Sequence, residues 1–168
     1  MDDFAAITDH FANQARLLLE DAGARHDALR RCAFFAPVPD EWLQRISGLA
    51  QIRTFHSDVC ITTQDDEMRA FYVILYGTAE AFRNGKLVGT IATGDCFGEG
   101  IFFGDGAMAT SATVIAEDKI IVAEFSKAVV TQLHADPEAM VSMDRALLLA
   151  LFKKLKGANE KIEQLMLR

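Results

Sequence analysis

No lysine or arginine falls between Lys86 and Lys119. An anion held by that stretch would have to be met by backbone N–H groups and hydroxyls, with no cation from the same segment. Cysteine is sparse as well. Cys32, Cys60 and Cys96 are an odd number, widely spaced, with no C-x-x-C pair. That excludes a disulfide framework and leaves reduced, mostly buried thiols as the expectation. Excess basic charge is also missing. At a net charge of −7 the chain lacks the clustered Lys and Arg that neutralise phosphates, so no nucleic-acid partner is expected. No apolar run approaches the length of a membrane span, and Met1-Asp2-Asp3 is acidic where a secretory signal is basic. No membrane partner and a cytoplasmic location are therefore expected. Catalytic motifs are absent: there is no H-E-x-x-H, no Walker loop with its lysine, and no nucleophile–base pattern. His10, His26, His56 and His134 are scattered. Neither an enzyme nor a metal site is expected.

What is present suits one domain with a full core and helical appendages: 168 residues, 51% of them apolar. Phe4, Ile7, Phe11, Ala15 and Leu18 recur at helical spacing, predicting a helix over 4–22 that ends at Gly23. A shorter helix follows over about 26–33. Pro37 and Pro39 interrupt it, and Asp40 is placed to cap a helix through Trp42, Leu43, Ile46 and Leu49. From Ile52 the pattern becomes short runs of Val, Ile, Thr and aromatics: 52–55, 59–62, 70–76, 78–83, 86–92, 112–117 and 120–125. Asn84-Gly85 between two runs is a hairpin signal. Such runs without long intervening helices predict an antiparallel barrel or jelly roll. Ser126 then caps a short helix, and Asp136-Pro137-Glu138 starts a long one. The fold class is α+β, mainly β: an antiparallel jelly-roll barrel flanked by N-terminal helices and a long C-terminal helix. The expected divisions are 1–33, 34–135 and 136–168.

The last helix carries two apolar faces. Val141, Leu148, Leu155 and Ile162 are spaced by seven, as are Leu151, Ala158 and Leu165. This is an a/d seam over about three heptads, broken at Asp144 and weakened near Gly157. Met140, Met143, Leu147 and Ala150 form a second face suited to packing on the barrel. The seam either contacts this chain's own helices or pairs two copies as a parallel coiled coil. Its persistence to the last residues favours a homodimer. Lys153, Lys154 and Lys156, bounded by acidic residues, read as a solvated face.

Several segments in order resemble the cyclic-nucleotide-binding domain family over roughly residues 29–167. They are Leu29, Phe34 and the helix from Asp40; Phe71-Tyr72-Val73-Ile74-Leu75-Tyr76-Gly77; Gly94-Asp95; Phe97-Gly98-Glu99; Ser111-Ala112-Thr113-Val114; and Phe125-Ser126. Lys153 to Leu165 is similar to the dimerising helix of the catabolite-activator type. The resemblance implies a regulatory domain with no cofactor, a cyclic nucleotide as ligand and a downstream protein partner. Its phosphate-binding cassette maps to Gly98, Glu99, Gly100, Ile101, Thr110 and Ser111, with Asn159 placed to cover the base. Glycines let N–H groups approach a phosphate, and Glu99 either accepts from a ribose hydroxyl or serves a helix dipole.

The family's phosphate-binding arginine is replaced at its slot by Thr110, and Gly104-Asp105-Gly106 lengthens the cassette. Losing one partner of a buried charge pair costs about 2–5 kcal/mol, enough to turn a micromolar site roughly millimolar at about 1.4 kcal/mol per tenfold. Ser57 and Gln64 stand at two turns where the family has glycine. Arg168 ends the chain with no helix-turn-helix after the long helix, so no DNA contact of that kind is expected. Three readings remain: a cyclic-nucleotide sensor that changes dimer geometry, a dimeric scaffold with a disabled site, and a sensor of an uncharged or apolar ligand. Phe97, Ile101, Phe102 and Phe103 would suit the last, unless they are core.

Overall fold

In a computed structural model of the chain, residues 2–104 and 108–167 are described. Asp105 and Gly106 of the expected cassette lie outside them. Helices α1 (Asp2–Glu20) and α2 (Ala22–Arg30) lead through a 3-10 turn at Ala33–Phe35 to α3 (Asp40–Leu49). Eight strands follow: β1 (Gln51–Phe55), β2 (Cys60–Thr62), β3 (Ala70–Tyr76), β4 (Thr78–Arg83), β5 (Lys86–Ala92), β6 (Cys96–Phe97), β7 (Thr113–Ala116) and β8 (Ile120–Ser126). Helices α4 (Lys127–His134) and α5 (Pro137–Met166) complete the chain. The strands form two four-stranded antiparallel sheets, β1-β8-β3-β6 and β2-β7-β4-β5. This is the expected jelly roll with its flanking helices.

Strand β3 explains why its sequence is apolar without alternation. Ala70, Tyr72 and Ile74 face the space between the sheets, while Phe71 and Val73 face a second core under the helices. Successive strand side chains point to opposite faces, and here both faces are covered. Strand β8 does the same with Val122 inward and Phe125 outward, while Ile121 meets Leu18 and Ala28 of the first two helices. The Asn84-Gly85 turn closes the β4–β5 hairpin with φ of 51° and 72°, the left-handed pair that a two-residue turn requires.

Local chemistry shifts several expected boundaries. The first break falls at Asp21, not Gly23, because the Asp21 side chain accepts from Ala24 N–H and starts α2. Asp40 is the first residue of α3, not its cap. Pro39 holds the cap position without a side-chain bond, and Asp40 instead takes Arg30 and His26, each at 3.0 Å. The left-handed turn residues are Asp58 (φ 65°) and Asp65 (φ 67°), one place after Ser57 and Gln64. Aspartate tolerates that region where most side chains do not. Strand β6 was hidden within the glycine-rich stretch. Ser126 and Asp136 cap α4 and α5 as expected, with Ser126 Oγ accepting from Val129 N–H and Asp136 Oδ1 from Glu138 and Ala139 N–H. Helix α5 runs without a break from Pro137 to Met166, as expected.

Cys32 and Cys96 are buried free thiols, whereas Cys60 is exposed. Burial pushes Cys32 up to about 11 and Cys96 up to about 12. The unfolded chain ionises these thiols from about pH 9 while the folded chain keeps them protonated, so their contribution to stability falls as pH rises from there. At pH 8 a thiol reagent is expected to modify Cys60 rapidly, and Cys32 and Cys96 only on unfolding. Rapid labelling of a second thiol in the folded protein would contradict this.

Candidate functional site

Strand β6 delivers the chain into Gly98 at φ 78°, where an added Cβ would lie 2.5 Å from the Ala70 carbonyl oxygen. Glycine is the residue that this approach of two backbones allows. A short 3-10 turn, Glu99–Phe102, follows. Its Ile101 and Phe102 side chains are buried in the helix-side core, and the Phe102 ring sits 5.3 Å from that of Phe71. His134 of α4 donates from Nε2 to the Phe102 carbonyl at 3.1 Å. One side of the turn is thus fixed, and the other side, Glu99 and Gly100, borders a cavity of about 770 Å³.

Five of the seven expected ligand residues line that cavity: Gly98, Glu99, Gly100, Thr110 and Ser111. Ile101 belongs to the core instead. Asn159 is exposed on α5 and is not among the lining residues. Thr110 is only 8% exposed. Its N–H donates to the Asp66 carbonyl and its own carbonyl accepts from Asp65 N–H, both at 2.8 Å. Of the aromatic run, Phe97 and the 53%-exposed Phe103 border the cavity, while Ile101 and Phe102 are core.

Helix α5 covers one side of the cavity with Leu149, Ala150, Leu151, Lys153 and Lys154. Lys154 Nζ donates to the Cys96 carbonyl at 3.1 Å and to Glu99 Oε1 at 2.5 Å. Lys153 lies 3.9 Å from Asp95, and Lys161 donates to the Val88 carbonyl at 2.7 Å. Lys154 departs from the reading of the lysine cluster as a solvated face. Lys156, paired with Glu160 on its own helix at 4.0 Å, fits that reading, and so does Lys153, whose side chain is 78% exposed although it borders the cavity beside Asp95. The reason is tertiary: β5 and β6 lie beneath this part of α5. One signal was available, since Lys154 and Lys161 are seven apart and share a helix face.

The cations missing from 87–118 are therefore brought in by α5, already paired. Lining residues that ionise are Asp95 and Glu99 against Lys153 and Lys154, so their charges cancel. Among the described residues no group of three or more His, Cys, Asp or Glu is placed to hold a metal ion, and no helix is long and apolar enough to cross a membrane. The Lys154 side chain is 48% exposed, so replacing it with alanine should cost less than about 1 kcal/mol of stability. Lys154→Ala should nevertheless speed amide exchange across the second half of α5, since a barrel contact is lost. Hydrogen exchange identical to wild type would show that Lys154 does not tether the helix.

Solved structures with the same fold are distant in sequence. The regulatory subunit of a cAMP-independent protein kinase A from Trypanosoma brucei superposes with a TM-score of 0.68 at 16% identity, over 88% of this chain and 50% of that one. The sensor domain of the transcriptional regulator DNR from Pseudomonas aeruginosa gives 0.61 at 20% identity, over 84% and 93%. The regulatory domain of Toxoplasma gondii PKA, solved with cAMP, gives 0.63 at 20% identity, over 81% and 50%. No curated protein matches the chain in sequence. The family described as the cyclic nucleotide-binding domain matches residues 52–136, from β1 to the cap of α5. The chain belongs to the cyclic nucleotide-binding domain family, with the double-sheet barrel, glycine turn and flanking helices of that regulatory fold.

Proposed function

We propose that this protein is a non-enzymatic regulatory domain, dimeric through α5, that binds cAMP and cGMP weakly or not at all and signals to a downstream protein. The observation that carries the reading is the charge balance of the cavity. The glycine turn and Glu99 are in place, but Lys153 and Lys154 face Asp95 and Glu99, and no arginine lines the cavity among the described residues. A cyclic nucleotide brings a further negative charge. If Lys154 turned to a phosphate, Glu99, whose side chain is 12% exposed, would lose its cation. The exchange of one partner for another leaves little net gain. That the fold occurs in the regulatory subunit of a cAMP-independent kinase supports separating the architecture from a cAMP response.

The dimer rests on the outer face of α5. Val141, Leu148, Leu155, Ile162 and Leu165 are each more than half exposed, and Leu151 and Ala158 continue the same seam. The opposite face is used within the chain: Met143, Ala146 and Leu147 are buried against the helix-side core, flanked by Met140 and Ala150. A heptad seam left bare by its own chain suits a parallel two-helix coiled coil.

Calorimetric titration with cAMP and cGMP is expected to give no affinity tighter than about 10 µM, and a tighter site would overturn the reading. Thr110→Arg should raise cAMP affinity by roughly tenfold or more, the worth of one charge-assisted contact; unchanged affinity would mean that position 110 does not face the phosphate. In sedimentation, the Leu148→Glu, Leu155→Glu double variant should run as a monomer. An unchanged mass relative to wild type would remove α5 from the interface.

A further inference from the structure

The cavity is larger and more apolar than a disabled anion site requires. Its walls include Phe34, Met68, Phe97, Met108, Val114 and Leu151, and its volume of about 770 Å³ lies within the range of small-molecule sites, about 300–1,000 Å³. Two of these walls are thioethers set against glycine. A Cβ at Gly100 would lie 3.1 Å from Met68 Cε and 3.5 Å from Met108 Sδ. Methionines against a bare backbone make a wall that can adapt to an apolar guest. At the rim Phe103 is 53% and Met108 43% exposed, an apolar edge that a guest would cover.

Charge and hydrogen bonding narrow the class of guest. Both carboxylates facing the cavity have a lysine partner. The Cys96 thiol is held neutral by burial. One cavity-lining hydroxyl is available to a guest. The Thr110 backbone is fully used, but its hydroxyl makes no hydrogen bond among the described residues, and the residue lines the cavity. Among the described residues the buried side-chain polar atom without a partner is Arg25 Nε, so Thr110 Oγ1 is open to the cavity and a guest's polar group can reach it. An anionic guest would have to compete with Asp95 and Glu99 for the two lysines, and a cationic guest would compete with the lysines for the carboxylates. A neutral guest disturbs neither pair.

We infer that the cavity under α5 binds an uncharged, mainly apolar small molecule that places one hydrogen-bonding group at Thr110 Oγ1. The inference rests on the preceding reading that a cyclic nucleotide is not the resident ligand, and it adds what replaces it.

Two dyes that differ by one charged group test this on the full chain. N-phenyl-1-naphthylamine is neutral and has one N–H. Its 8-sulfonate, 1-anilinonaphthalene-8-sulfonate, carries the same aromatic body with a negative charge. The neutral dye is expected to bind with micromolar affinity, one per chain, and the sulfonate at least tenfold more weakly. Thr110→Val, which keeps shape and removes the hydroxyl, should weaken the neutral dye roughly threefold to tenfold. Ala150→Phe, which fills the cavity from the α5 side, should abolish its binding. Equal or tighter binding of the sulfonate, no binding of either dye, or neutral-dye binding unmoved by Thr110→Val would overturn the inference. The last outcome would place the dye on the exposed α5 seam. If Ala150→Phe lowers the melting temperature, Thr110→Val decides alone. The nucleotide titration separates the two proposals: tight cAMP binding defeats the earlier one, whereas silent dyes together with silent cAMP defeat only this one.

Discussion

An aromatic cluster around Phe71 anchors the helix-side core. Phe71 is fully buried near the start of β3, with ring centroids 5.0 Å from Phe34, 5.3 Å from Phe102 and 5.8 Å from Phe125. Those partners come from the N-terminal 3-10 turn, the cassette turn and the last strand. One side chain therefore joins the helical layer, the glycine turn and the barrel. Aromatic burial of this kind dominates core energetics, and edge-to-face pairs add to it. Because Phe102 is held by Phe71 on one side and by His134 on the other, the turn bearing Glu99 has a fixed base.

From that base, function becomes a question of charge. The family's fold places a glycine turn and a carboxylate beside a cavity, and here the cations that reach it come from α5. The same Lys154 contact that neutralises Glu99 also holds the helix over the cavity. In the proposed reading, occupancy of the cavity would be linked to helix position, because anything that drew Lys154 away from Glu99 would also loosen α5. A guest that leaves the pair intact would act by filling the space beneath the helix.

Much of this was legible in the linear chain. The hairpin at Asn84-Gly85, the caps at Ser126 and Asp136, and seven of the eight strands followed from turn chemistry and from short β-branched and aromatic runs, which depend on neighbours in sequence. The errors were local competitions of the same kind. Asp21 captured a helix start ahead of Gly23, Asp40 was taken up by Arg30 and His26 instead of capping, and Asp58 and Asp65 adopted the left-handed turns one place after the residues singled out. Strand β6 is two residues long and was masked by the glycines around it.

The jelly roll, the flanking helices, the glycine turn at 98 and the lack of a cation from 87 to 118 could be read from the chain alone, because each is written in contiguous residues. It took the packing of the chain to bring Lys153 and Lys154 to Asp95 and Glu99, more than fifty positions away, to turn Ile101 into the core, and to leave Asn159 clear of the cavity. The physical reason is that a helix's periodicity defines its faces but not what lies opposite them. The partner of each face is set by how α5 docks on the barrel, through Met143, Ala146 and Leu147.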